Sequence, residues 1–252
     1  MLRNVLFGDS ISGVLGVPVL ALQDTTAIPR PSTISASWLD ETSSESATDP
    51  TLGSVTVTPK TLVCLVNVSR QLLAQSAQAP DLLGALMARG AVKAVDAALL
   101  VGAGGAEPLG IANSQGIQTQ SGSTLALSGV LAAQQAVVAA GASDLSLSFV
   151  TTPSVRQTLA AREIVSTSGL MLWRNRAVAD IPAFVSNDCA ASTAVLGDFR
   201  NQIAIALFGN GAEIAVDKSG GFNGAYATYR LLMLADVAVF QSAALCKITS
   251  VS

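Results

Sequence analysis

The 252-residue chain contains no histidine. That removes imidazole as a general base, as the partner of a serine or cysteine nucleophile, and as a metal ligand, and with it much of ordinary enzymology. Charge is nearly as scarce: 12% of residues are Asp, Glu, Lys or Arg, against about 25% in an ordinary soluble domain. A monomer so sparsely charged would present a large uncharged surface to water, so the composition points to extensive contact between subunits. No basic run occurs, and a net charge of −3 with a pI near 4.9 argues against a general nucleic-acid binder, which neutralises phosphates with clustered Lys and Arg. Cys64, Cys189 and Cys246 are the only cysteines. They are odd in number, widely separated and unlike zinc-ligand spacing, so buried free thiols are expected rather than a disulfide framework or a metal knuckle.

Membrane-length apolar runs are also missing. The stretch ISGVLGVPVLAL near the N-terminus follows a segment with one basic residue and is interrupted by Pro18, unlike a signal-peptide core. LLMLADVAVF is about half the length of a membrane span and contains Asp236, so it reads as a buried strand.

What the chain does have is apolar mass, since 50% of its residues are hydrophobic, enough for a sizeable core in one large domain or two small ones. The stretch that organises it runs from Ser69 to Gly110. A short helix over 69–77 precedes a longer one starting near Asp81, because proline suits a first turn and an acid there favours the helix dipole. From Asp81 to Val101 only Gly84 and Gly90 weaken the helix, so at 1.5 Å per residue the rod spans roughly 30 Å. Leu83, Met87, Val92, Val95 and Leu99 form a face that needs burial. Gly84, Ala88, Ala91, Ala94 and Ala98 form a small-residue stripe beside it, and Arg89, Lys93 and Asp96 a polar one. Gly102, Gly104 and Gly105 end the rod. The run GAGGAEPLG invites a phosphate-binding reading, but it follows a helix, whereas a dinucleotide loop follows a strand and opens a helix. A structural turn is the better assignment.

Residues 1–35, rich in Gly, Pro, Ser and Thr with Pro18, Pro29 and Pro31, read as an extended arm whose order depends on lying across another surface. Ser54 to Thr58 and Thr61 to Val68 read as strands. Between Trp38 and Pro50 the chain is polar and acidic, with Asp40, Glu41, Glu45 and Asp49. Residues 112–127 suit a crossing into a second domain. There Ser128 caps a helix ending at Gly141, 145–150 alternates as a strand, and Thr152-Pro153-Ser154 starts another helix. Strands over 202–208 and 212–216 flank Asn210-Gly211, a favoured hairpin turn. Asp198, with no partner acid, base or metal cluster near it, reads as a turn or cap aspartate. Residues 226–239 and 244–249 read as strands returning to the first domain.

Several separated motifs, in order, carry a resemblance. Ser37-Trp38, Glu41-Thr42, Leu52-Gly53-Ser54, Thr58-Pro59-Lys60 and Val68-Ser69-Arg70-Gln71-Leu72-Leu73 resemble the extended loop of HK97-fold phage major capsid proteins. Asp96-Ala97-Ala98-Leu99-Leu100, Gly102-Ala103-Gly104 and Glu107-Pro108-Leu109-Gly110-Ile111 resemble that family's spine-helix end and following turn, and Leu196-Gly197-Asp198-Phe199 is a further family-like mark.

The resemblance implies an α+β fold of the HK97 type: an N-terminal arm (1–35), an extended β-hairpin loop (36–68), a peripheral domain with a long spine helix (69–127), an axial domain (128–221) and return strands of the peripheral domain (222–252). It implies a structural protein, not an enzyme, with no cofactor and no metal. Copies would assemble through hexamers and pentamers into an icosahedral head shell around double-stranded DNA, in the cytoplasm of a host bacterium. Portal, scaffolding or decoration proteins would be its partners, DNA would be touched weakly and without sequence preference, and no membrane is involved. Scaffolding segments of the family precede the mature N-terminus, and none is visible before Met1.

Inter-subunit contacts are expected at Trp38, at Asp40, Glu41, Glu45 and Asp49, at Lys60, and at the cations Arg70, Arg89 and Lys93 of another copy. Some relatives join an extended-loop lysine covalently to an asparagine; Lys60 is the only lysine in this loop, no asparagine partner is identifiable, and a non-covalent role is the default. Gly102, Gly104, Pro108, Gly110, Gly197 and Asp198 are assigned to structural turns. An encapsulin-like compartment is the alternative within the fold. A nucleotide-binding enzyme built on 102–110 lacks a supporting strand and an acid at ribose-binding distance.

Overall fold

The computed structural model describes residues 10–30, 38–40, 53–76, 78–165, 169–219 and 224–251. The described part opens with a single helical turn, α1 (Ile11–Val14), then β1 (Val19–Leu22), β2 (Thr26–Arg30), β3 (Gly53–Val57) and β4 (Lys60–Ser69). Two helices follow, α2 (Arg70–Gln75) and the long α3 (Ala79–Val101), before β5 (Gln118–Ser121), α4 (Leu127–Ala139), β6 (Ser148–Thr151) and α5 (Pro153–Ala161). The last stretch comprises β7 (Trp173–Arg174), β8 (Ala177–Val178), β9 (Ile181–Val185), β10 (Ala194–Gly197), α6 (Phe199–Gln202), β11 (Ile203–Asp217), β12 (Tyr226–Val239) and β13 (Leu245–Thr249).

The strands form a four-stranded sheet in the order β1-β11-β12-β4, a seven-stranded sheet in the order β5-β13-β10-β6-β9-β8-β7, and a two-stranded ribbon, β2-β3. Each sheet supports one unit. In the first, α3 lays Met87, Val92, Val95 and Leu99 on the sheet face that carries Tyr229, Leu231, Met233 and Ala235 of β12. Burial of such a side chain contributes about 1.5–3 kcal/mol, so this seam dominates the unit's stability. The helix begins at Ala79, two residues before the expected Asp81, with Pro80 in its first turn, and ends at Gly102. The opposite face of the same sheet carries Ala204, Ala206, Phe208 and Ala238, covered by Val57 and, in part, Ile28 and Val55 at the base of the ribbon. In the second unit α4 and α5 pack Val130, Ala133, Val137, Val155 and Leu159 against Phe149, Leu196, Cys246 and Ile248 of the seven-stranded sheet.

The arm does lie across another surface, and that surface is its own chain. β1 pairs in parallel with β11, and Leu15, Val17 and Val19 are buried in the main core.

Seven sequence expectations need correction. The strand 54–58 does not pair with 61–68: β3 pairs antiparallel with β2, drawn from the segment assigned to the arm, while β4 pairs along its whole length with β12. The reason is length and face. β4 alternates over ten residues, with Leu62, Cys64 and Val66 packed inward, and only a long strand with a matching apolar face completes it. Residues 203–217, placed with the axial domain, are one strand of the four-stranded sheet. Gly209-Asn210-Gly211 is therefore a bulge and not a hairpin: the pairing Phe208–Leu234 is followed by Ala212–Met233, and Gly209 and Gly211 take φ of 66° and 86°. The strand 244–249, expected to return to the first domain, joins β10 and β5 in the other sheet. Residues 118–121, read as part of a polar crossing, supply the edge strand β5 of that sheet. Last, the helix expected to be capped by Ser128 starts two residues earlier, with Ala126 at the cap position, and the strand expected over 145–150 is confined to Ser148–Thr151.

Candidate assembly surfaces

The glycine turn after α3 is a close approach of backbones. A Cβ at Gly102 would overlap the carbonyl oxygen of Pro108 and lie 2.6 Å from that of Ala98; one at Gly110 would overlap the amide of Gly102. Gly110 N donates to Gly102 O at 2.9 Å, and Gly104, at φ +83°, occupies the left-handed region. The Glu107 carboxylate closes the turn by accepting from Ala103 N at 2.7 Å. No space remains for a phosphate between these atoms.

Lys60 is tied into this turn. Its Nζ donates to Glu107 O at 2.7 Å and stands 3.8 Å from Asp236 Oδ1 on β12, with side-chain exposures of 19% and 8%. Asp236 also accepts from Thr58 N at 2.9 Å and from Val237 N at 2.9 Å. One carboxylate thus joins the exit of the β2–β3 ribbon to the long sheet, and through Lys60 to the spine turn. Arg70 is exposed at the far end of β4: its N–H donates to Ala225 O at 2.8 Å, and its Nη2 to Lys218 O at 2.5 Å. Asp198 caps α6, accepting from Asn201 N at 3.2 Å and Asn201 Nδ2 at 2.8 Å. Gly197 lets β10 approach β13, because a Cβ there would overlap the Leu245 side chain.

The β2–β3 ribbon leads to a connection that carries the acidic stretch. Trp38 is fully exposed, with Leu39 and Asp40 exposed beside it; Glu41, Glu45 and Asp49 lie outside the described residues.

Arg89 and Lys93 open onto a cleft of about 1090 Å³ between α1, α3, α5 and the β7–β9 strands, where Arg156 and Arg176 join them. All four cations are exposed, and among the described residues none has a carboxylate within 4.0 Å. Arg156 stands in α5. Arg176 stands in the two-residue turn between β7 and β8, where Asn175 and Arg176 take φ of 52° and 59°; two successive positive-φ residues define the mirror-image turn that suits a tight hairpin.

The two carboxylates in the cleft are committed elsewhere. Asp96 is not on a solvated face, as its spacing suggested: it is buried, and accepts from Ile11 N at 3.0 Å and Ser12 N at 3.3 Å, tethering α1 to α3. Burial pushes its carboxyl above the usual range, and the hydrogen bonds from Ser12 and the backbone partly offset that rise. Asp188 accepts from Ser186 Oγ at 3.2 Å. Sequence reasoning found Arg89 and Lys93 through their spacing of four but missed Arg156 and Arg176, which only chain crossing brings to the same place.

Cys64, Cys189 and Cys246 are free thiols; burial pushes Cys189 up to about 12, with Asp188 adding to the rise, and Cys246 to about 11, which keeps these two protonated and unreactive.

Residues 13–250 match the phage capsid family. The major capsid protein of Halomonas phage phiHAP-1 is 28% identical over 227 residues, covering 87% of this chain; the chain spans 37% of that protein's length. Among solved structures, the capsid of a native GTA particle superposes with a TM-score of 0.75 at 18% identity, covering 94% of this chain and 90% of that one. A chain from Microbacterium phage Oxtober96 does so with a TM-score of 0.69 at 12% identity, covering 95% and 90%. These likenesses establish the HK97 fold, with its long helix on a long sheet and a second unit beside it. Since the family match runs through nearly every element from α1 to β13, this chain belongs to the phage capsid family.

Proposed function

We propose that many copies of this chain build the icosahedral head shell of a tailed phage around double-stranded DNA. The observation that carries this reading is the family match over residues 13–250. The first unit, with α3, serves as the peripheral domain and the second as the axial domain of hexamers and pentamers. Assembly takes place in the cytoplasm of a bacterial host, and portal, scaffolding or decoration proteins complete the particle.

The connection beyond the β2–β3 ribbon lies on a neighbouring copy, which gives the fully exposed Trp38 an apolar seat and gives Asp40, Glu41, Glu45 and Asp49 cations to meet. Of the cations that sequence reasoning put forward, Arg70 is exposed, bonds only to carbonyl oxygens and is distant along β4 from the ribbon's base, so a neighbour's loop can reach it. Lys60 is engaged within its own chain. It therefore joins no covalent network, and boiled shells should run as monomers on denaturing gels; a high-mass ladder would refute this.

Electron micrographs of the purified chain test the main reading: closed shells that retain nuclease-protected DNA support it. Shells filled with a protein cargo, or monomers whose melting temperature rises with nucleotide, would overturn it. Charge reversal at Asp40 and Glu41 should lower shell yield, although exposed pairs contribute only about 0.2–1 kcal/mol each, so the effect comes from repetition over many copies.

A further inference from the structure

Four cations open onto the cleft on α3, and among the described residues none has a carboxylate within 4.0 Å, which leaves room for an anion to complete it. Arg89 and Lys93 sit one helical turn apart; Arg156 and Arg176 face them from the second unit. Concave walls focus such a field, and four like charges around one cleft repel one another until an anion enters. Two carboxylates line the cleft with them: Asp96 is buried and spent on the amides of Ile11 and Ser12, and half-buried Asp188 accepts from Ser186 Oγ, so the four cations outnumber them.

The acidic connection of another copy is one conceivable anion, and the topology argues against it. The ribbon's base packs on the sheet face formed by Ala204, Ala206, Phe208 and Ala238, whereas α3 and the cleft lie on the face formed by Leu231, Met233 and Ala235. The symmetry axes of a closed shell run through its centre. They rotate copies within the wall without turning any of them over, so every copy keeps the same face outward. A loop that emerges on one face of the sheet then meets that same face of its neighbours, and the cleft remains for what lies on the other side.

We infer that this cleft receives backbone phosphates of the enclosed nucleic acid, an inference that rests on the shell reading above. Three of its four cations are arginines, whose planar forks hold phosphate oxygens in pairs, and exposed Asn187 adds an amide donor at the rim. No base edge is read, so binding is independent of sequence and sensitive to salt. The acidic chain as a whole repels DNA; this one cleft does not.

The test compares unassembled subunits of wild type with those of an Arg89→Gln/Arg156→Gln variant, using a fluorescent 30-base-pair duplex of random sequence and anisotropy between 20 and 200 mM NaCl. Four contacts give a slope of log K against log salt of about −3.6, and removal of two should halve it to about −1.8 while shells still form. Equal slopes for the two proteins would overturn the inference. So would a variant that binds DNA normally but no longer assembles, because the cleft would then be a contact between copies. A second measurement needs no variant: Lys93 should be protected from acetylation in DNA-filled shells and modified in emptied ones, and equal modification refutes the site. If wild type forms no shells at all, the shell reading fails, and duplex binding by free subunits still reports on the cleft separately.

Discussion

Two cationic places in this molecule have opposite fates. At Lys60 the charge is used inside the chain: Asp236 and the Glu107 carbonyl surround it, and the result fastens ribbon, sheet and turn together. At the α3 cleft Arg89, Lys93, Arg156 and Arg176 have no carboxylate within 4.0 Å among the described residues. A folded chain with so few charges does not need those four for its own stability. Exposed cations without partners are instead what an assembled particle can use.

The contrast is open to direct attack. The largest effect should come from Asp236→Ala, which strips the nearly buried Lys60 of its carboxylate and Thr58 N–H of its acceptor. Breaking such a pair on one side costs about 3 kcal/mol, so thermal unfolding of the subunit should fall by roughly 6–12 °C. An unchanged melting temperature would mean the network is ornamental.

Next comes Asp96→Ala, which leaves two amides of α1 without acceptors and should cost about 1–3 kcal/mol. The same carboxyl has a testable pH signature. Its folded-state pKa lies above the ordinary 3.8, so between those two values the folded chain binds more protons than the unfolded one. Stability from this group therefore falls as pH rises through that window and is level above it. Asp96→Asn removes the slope, and melts taken from pH 4 upward should show the difference between the two proteins narrowing in favour of the variant; parallel curves would contradict the assignment.

The smallest effect on the subunit should follow Arg89→Gln/Arg156→Gln: within about 0.5 kcal/mol of wild type, because exposed, unpaired side chains contribute little to folding. A large loss of stability here would show that the cleft cations have structural partners after all, and the contrast with Lys60 would collapse.

Much of the first unit was legible in the chain's text. The long helix, its buried face, its proline start and its glycine stop all follow from local rules, because periodicity and capping act within a few residues. The Asp198 cap is local in the same sense. What misled sequence reading were decisions made between distant segments. Thr58-Pro59 looks like the turn of a hairpin, yet β3 and β4 belong to different sheets because each found a longer or better-matched partner. Asn210-Gly211 has the composition of a turn, and the continuous pairing of β11 with β12 on both sides of it makes it a bulge.

Residue order alone therefore settled the chain's class: scarce charge, absent imidazole, a strut closed by glycines, and motifs spaced like those of capsid proteins. Tertiary structure decided which charges are available. Arg70, Arg89, Lys93 and Lys60 are equivalent on paper, but a cation is committed or free according to what the fold brings within about 4 Å of it. Coulomb attraction at that range depends on position and burial, which no spacing along the chain encodes.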